Sequence, residues 1–228
     1  IVVNNWEATY FDFDNQRLFS IIDEAAKLGI DTFVLDDGWF GNRNDDTSGL
    51  GDWIVNDKKL KGGLKPLIDY CRNKGLKFGI WFEPEAISED SDLYRKHPDW
   101  AIWKNGVEPA RWRNQLVLDF TRQEVVDYVY NAVSSILEHN DISYVKWDFN
   151  RNISEFYSRR LHNQGEFIHR YMLGVYRLAR KLTKNFPEVF FEGCAGGGGR
   201  FDAGMLYYFP QIWTSDNTDA VERMKIQW

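Results

Sequence analysis

Apolar and polar positions change period repeatedly along the chain, and each change marks an element. "VVNN" at 2–5 predicts a short first strand, and "NQRLFSIIDEAAKLG" then carries apolar residues at helical spacing until Gly29. Further strands are predicted in "DTFVLDDGWF", "LKFGIWFEPE", "NQLVLDF", "YVKWDF", "EVFFEGCA" and "QIWTSD", seven in all. Helical patterns lie between them in "LKPLIDYCRNKG", stopped by Gly75, in "TRQEVVDYVYNAVSSILEHN", where Thr121 and Glu124 have the spacing of a capping box, and in "EFIHRYMLGVYRLARKLTKNF". Strands alternating with helices imply a parallel sheet.

Nearly every predicted strand ends in polar residues: Asp36 and Asp37, Glu83 and Glu85, Asp119, Asp148, Glu192 with Cys194, and Asp216. A doubly wound open sheet concentrates function near one switch point, whereas a (β/α)8 barrel collects it from most strand ends. The expected fold is therefore α/β, a (β/α)8 TIM barrel with seven strands visible and the eighth beyond Trp228. Residues 1–228 read as one domain, since no repeat, low-complexity stretch or linker divides them.

The strand "YVKWDFNR" raises the chemistry. With period two, Val145, Trp147 and Phe149 share one face, while Tyr144, Lys146, Asp148 and Asn150 share the other. An ammonium two residues from a carboxylate favours the charged form of both, and an ionised, desolvated carboxylate is what a nucleophile needs. A structural ion pair at a barrel mouth explains the same pattern. Asp216 in "WTSDNTD" is placed at the same mouth, among Trp213, Thr214 and Ser215 with no adjacent cation. Two carboxylates in unlike environments suit a nucleophile and a proton donor; for Asp216 the alternative is a helix N-cap.

Composition narrows the field. A formal charge of -6 suggests neither a nucleic-acid groove nor a membrane surface, and no apolar run is long enough to span a bilayer. Ten Trp, eleven Tyr and sixteen Phe are more than a core needs, and such faces suit the flat apolar sides of sugars. Two cysteines give no disulfide framework, and Cys71 sits in a helix pattern as a small hydrophobe. His97, His139, His162 and His169 show neither HxH nor HExxH spacing, so no metal and no cofactor is expected, with Mg²⁺ at the acidic clusters a minor alternative. "GCAGGGGR" lacks the phosphate-loop pattern, and its glycines are expected to let backbone approach a ligand; no GxSxG elbow is present. The chain opens at Ile1 without an initiator Met and reads as a piece of something longer, so the missing signal peptide carries little weight. A cytoplasmic setting is the expectation.

Eight motifs, "NNWEATYFDF", "LDDGWFG", "LGDW", "WFEPE", "RNQLVLD", "KWDFNR", "EGCAGGGGRFD" and "WTSDNTDA", stand in one order along the chain. Together the chain resembles the α-galactosidases, or melibiases, of glycoside hydrolase family thirty-six. The resemblance implies Asp148 as nucleophile and Asp216 as acid/base. It implies that Asp36 and Asp37 hold the galactose O4 and O6 hydroxyls with Trp53 walling that end, that Arg113, Lys146 and Asn150 are further sugar contacts, and that Cys194, Gly197 and Arg200 approach the 2-hydroxyl. Glu83 and Glu85 are read as supporting residues. The substrates implied are galactose-containing oligosaccharides such as melibiose and raffinose, in a homo-tetramer whose barrel is flanked by β-domains. Alternatives are an α-N-acetylgalactosaminidase, a transglycosylating relative, or an inactive galactose-binding barrel.

Overall fold

The computed structural model describes residues 1–104, 106–226 and 228. In chain order it runs β1 (Val2–Asn4), α1 (Trp6–Thr9), α2 (Asn15–Lys27), β2 (Thr32–Leu35), α3 (Lys65–Asn73), β3 (Lys77–Phe82), β4 (Ala86–Ile87), α4 (Asp92–Lys96), β5 (Leu116–Val117), α5 (Gln123–His139), β6 (Tyr144–Trp147), α6 (Phe167–Asn185), β7 (Phe190–Gly193), α7 (Ala203–Tyr208), β8 (Gln211–Ile212) and α8 (Ala220–Ile226). Among the described residues, six strands form one curled parallel sheet in the order β1-β2-β3-β6-β7-β8. Because all six run the same way, their C-terminal ends, and the polar residues that follow them, collect on one edge.

The expected seven-stranded sheet is corrected to six. β3 pairs directly with β6, Gly79 opposite Tyr144 and Phe82 opposite Trp147, which leaves no place between them for the segment predicted as the fourth strand. That segment keeps only the two residues of β5 in extended pairing, antiparallel to β4. Leu116, Val117 and Leu118 are nonetheless buried. A short apolar run looks the same in sequence whether it is buried in a sheet or against a loop.

The helices pack apolar stripes on the sheet. α2 buries Leu18, Ile22 and Ala25, α3 buries Leu67, Ile68 and Cys71, and α5 buries Val125, Val126, Val129, Val133 and Leu137. Each such Val, Leu or Ile is worth about 1.5–3 kcal/mol of burial. Cys71 is the expected core hydrophobe, and burial pushes its thiol up to about 12. Asp14 caps α2 by accepting from Arg17 N at 2.9 Å, and Gly29 ends it with φ +70. On α6, a Cβ at Gly174 would lie 1.9 Å from the Phe120 carbonyl oxygen, so glycine there lets the helix meet the chain that leads into α5.

The capping box expected at Thr121 and Glu124 does not form. Arg122 occupies the cap position of α5 and accepts no helix amide with its side chain, and Thr121 Oγ1 donates to Asp119 Oδ1 at 2.6 Å. The bond to Asp119 holds the Thr121 hydroxyl there, outside the cap position that Arg122 takes, so its oxygen does not accept from a helix amide. Among the described residues, no helix is long and apolar enough to cross a membrane.

Candidate active site

The edge where the strands end holds three linked groups of side chains. The first is Asp148, directly after β6 and 5% exposed. Its Oδ1 accepts from the Phe149 backbone N–H at 2.8 Å, and its Oδ2 accepts from Asn150 Nδ2 at 2.7 Å and Trp81 Nε1 at 3.1 Å. The Cys194 thiol also hydrogen-bonds this carboxyl, and Cys194 N donates to Trp147 O at 2.7 Å. Burial, then the negative Asp148, pushes the thiol well above its ordinary range, so Cys194 acts as a neutral donor. Four neutral donors around a buried carboxylate satisfy its lone pairs without a hydrogen-bonded cation.

The expected Lys146 to Asp148 ion pair is therefore replaced by a different one. Lys146 Nζ donates to Asp36 Oδ2 at 2.9 Å, with both side chains 3% exposed. The inner face of the curled sheet brings the end of β2 closer to Lys146 than its own neighbour on β6, because side chains on one strand face diverge while those across a concave sheet converge. Burial opposes the ammonium, but the charges of Asp36 and then Asp148 outweigh it and hold Lys146 protonated well above its ordinary value.

Asp36 Oδ1 also accepts the Asp37 backbone N–H at 2.9 Å, and Asp37 turns to an unanticipated partner. Arg43 Nε and a terminal nitrogen fork onto the Asp37 carboxylate at 3.0 and 2.9 Å, with exposures of 1% and 4%. The two acids of "LDDGW" are thus each clamped by one buried cation. Trp53 joins Trp39, Phe40, Trp81 and Phe82 in an aromatic wall, with ring centroids 4.4 Å from Phe40 and 5.3 Å from Phe82. Its indole N–H is buried without a hydrogen-bond partner among the described residues.

Asp216 reaches the group through Trp213. The β7–β8 ladder continues past Ile212 when Trp213 N donates to Gly193 O at 2.8 Å. The Trp213 ring then lies 4.6 Å from Lys146 Nζ, while its Nε1 donates to Asp216 Oδ1 at 2.8 Å. One indole therefore covers the buried lysine and holds the exposed acid. Asp216 is not the N-cap of α8: Asp219 is, accepting from Val221 N and Glu222 N at 3.0 and 2.9 Å.

The remaining candidates divide. Gly197 has φ +87, and a Cβ there would stand 2.8 Å from Thr214 O, so it lets the "GCAGGGGR" loop press against the stretch leading to Asp216. Arg200 forks onto fully buried Glu85 at 2.7 and 3.0 Å, and Glu85 also accepts from Trp147 Nε1 and Tyr171 Oη at 3.0 and 2.9 Å. Asn150 and Arg200 share with Trp112, Phe149 and Phe156 the lining of a cavity of about 470 Å³. Arg113 is not drawn into the cluster; it stands exposed on a turn with φ 54 beside Asn114 at φ 58.

Two residues that touch the candidate acids were missed. Arg43 sits in a polar stretch, "GNRNDD", that reads as solvated surface. Trp81 had a signal: Gly79, Trp81 and Glu83 share one face of β3 by period two, and the register sets Trp81 opposite Lys146.

The Melibiase family model matches residues 1–228. Alpha-galactosidase Mel36A of Lactobacillus acidophilus is 54% identical to this chain, over 100% of it and 31% of the Lactobacillus protein. Alpha-galactosidase 1 of Pediococcus pentosaceus is 55% identical with the same coverage. The crystal structure of the GH36 alpha-galactosidase AgaA from Geobacillus stearothermophilus matches with a TM-score of 0.95 at 54% identity, over 100% of this chain and 32% of AgaA; substituted forms of AgaA have been solved with raffinose and with stachyose. The chain thus spans less than a third of the length of these relatives. By sequence over its whole length, and by fold, this chain belongs to the melibiase family.

Proposed function

We propose that residues 1–228 are the catalytic barrel of a retaining α-galactosidase that removes terminal α-galactosyl residues from oligosaccharides such as melibiose and raffinose. The observation that carries the reading is the set Asp148, Lys146–Asp36 and Trp213–Asp216: a buried carboxylate held by neutral donors, whose charge acts on Lys146, and an exposed carboxyl held by the indole that covers that lysine. A nucleophile must be ionised and fixed, whereas an acid/base must exchange protons with water, and the two carboxyls differ in that sense.

In the first step Asp148 attacks the anomeric carbon as the bond to the leaving oxygen breaks, and Asp216 gives that oxygen its proton. In the second, Asp216 takes a proton from water, the water oxygen attacks the same carbon, and the bond to Asp148 breaks, leaving both carboxyls as they began. Asp36, Asp37, Lys146 and Trp53 form the sugar-binding end. Carboxylates accept two hydroxyl hydrogen bonds each, Trp offers an apolar wall to the C–H face, and the unpaired Trp53 N–H can meet a sugar oxygen. Cys194, Gly197, Arg200, Asn150 and Arg113 belong to the proposal as residues around the 2-hydroxyl and neighbouring positions, with Arg200 acting from its anchorage on Glu85. Homo-tetrameric assembly of the whole protein comes with the reading, and analytical ultracentrifugation tests it.

The decisive experiment compares aryl α-galactoside with aryl α-N-acetylgalactosaminide and follows the first-formed sugar by NMR. Faster turnover of the galactoside with α-galactose as first product supports the reading. Galactose binding without turnover, preference for the N-acetyl substrate, or β-galactose as first product overturns it.

A further inference from the structure

Glu83, which follows β3 directly, is buried and has no assigned part in the steps above. Its Oε1 accepts from the Asn150 backbone N–H at 2.5 Å and from Gln115 Nε2, and its Oε2 accepts from Asn150 Nδ2 at 3.1 Å. That same Nδ2 donates its other hydrogen to Asp148 Oδ2 at 2.7 Å. A single amide nitrogen therefore bridges two buried carboxyls, which brings them within about 6 Å of each other, the range in which like charges act strongly on one another.

We propose, resting on the reading of Asp148 as nucleophile, that Glu83 is its positioning residue: protonated Glu83 fixes the Asn150 amide so that Nδ2–H addresses Asp148 Oδ2, and it carries the proton that lets Asp148 stay ionised. Three features of the packing support this. Both hydrogens of the Asn150 amide are used, one on each carboxyl, so the side chain cannot turn without losing one of them. The charged groups around Glu83 are unevenly placed: Asp148, directly after β6, stands across the Asn150 bridge, while Arg43 and Arg151 act from beyond hydrogen-bonding range, Arg43 being committed to Asp37 and Arg151 to Glu155 and to the Ala110 and Gln115 carbonyls. Finally, an acceptor for a Glu83 proton is at hand: Gln115 Oε1 is buried without a partner among the described residues, and exchanging the two ends of that amide turns this oxygen onto Glu83.

Burial, and then the negative Asp148, push the Glu83 carboxyl up to about 7. The protonation of Glu83 then follows the charge of the nucleophile. When Asp148 is ionised, Glu83 holds its proton; when Asp148 forms an ester with the sugar, the like charge opposing Glu83 ionisation is gone.

Two measurements on the protein test this. Infrared difference spectroscopy of wild type at pH 6 should show a buried carboxylic-acid carbonyl band that titrates near neutrality and is missing from Glu83→Gln; no such band in wild type, or its persistence in the variant, overturns the proposal. Kinetics on an aryl α-galactoside should show kcat lowered about 10–100-fold in Glu83→Gln with KM little changed, as expected for a nucleophile out of position. Asn150→Ala should show a comparable loss, and the double variant should lose no more than the worse single one, because both act through the same hydrogen bond. Wild-type kcat in Glu83→Gln, or losses that multiply, overturns the proposal. If Glu83→Gln fails to fold, unimpaired kcat in Asn150→Ala overturns it and a 10–100-fold loss there supports it. Should wild type turn over no α-galactoside, the functional reading fails, and the infrared band still decides whether Glu83 carries the proton.

Discussion

Arg43→Met isolates the buried pair behind "LDDGW". Arg43 and Asp37 are 1% and 4% exposed and meet through two nitrogens, and Arg43 also donates to Ser48 O at 2.9 Å. Methionine keeps much of the length and apolar volume, so the main loss is the charge partner of Asp37. Removing one member of a buried pair typically costs about 3–5 kcal/mol, because the remaining charge is uncompensated. Set against a total stability of about 5–15 kcal/mol, this is a large fraction, and at a urea m-value near 3 kcal/mol/M it moves the midpoint by about 1–1.7 M. The assay is urea unfolding at pH 7, followed by tryptophan fluorescence. The double variant Arg43→Met with Asp37→Asn should recover a good part of the loss, since no charge is then left buried. A loss below about 1 kcal/mol at pH 7, or a double variant no more stable than Arg43→Met, would refute the reasoning.

Further outcomes are expected elsewhere in the site. Glu83 has its folded value raised from 4.5 to about 7, so the stability it contributes is fully present below pH 4.5 and lost as pH rises through 7, about 3 kcal/mol across that window; Glu83→Gln should flatten this part of the Tm against pH curve, and parallel curves would contradict it. Asp148→Ala should abolish hydrolysis of every α-galactoside, whereas Asp216→Ala should spare the first step for substrates with good leaving groups and give a galactosyl azide when azide is added; rescue without that product would remove Asp216 from its role. Gly197→Ala forces a side chain into φ +87 and against Thr214 O, and should cost about 1–3 kcal/mol in thermal unfolding while lowering activity through displacement of the Trp213–Asp216 stretch; unchanged stability would show that the loop yields.

Much of the frame was legible in the chain. Period-two and helical patterns located all six strands of the sheet, each start within two residues although several predicted ends ran on into the polar loops, as well as α2, α3, α5 and α6, and the run of polar residues after each strand pointed to one functional edge. What failed were choices between chemically equal partners. "NQLVLDF" is as apolar as a sheet strand, and only the direct β3–β6 pairing shows that it is not one. Thr121 prefers the Asp119 carboxylate to a helix amide, and Lys146 prefers Asp36, 110 residues away, to Asp148 two residues away. Asp219 stands three residues before Glu222, a cap pattern that was readable and would have freed Asp216 from that role. Arg43 had no local signal, because its burial depends on a carboxylate six residues away being buried with it.

The central claim is that Asp148 forms a covalent bond to the sugar. Incubation of the protein with a fluorinated galactosyl fluoride that slows the second step, followed by peptic digestion and mass spectrometry, should find one galactosyl label, on the peptide "YVKWDFNR" at Asp148. A label on any other carboxylate, or no label from a protein whose first-formed product is β-galactose, would contradict it.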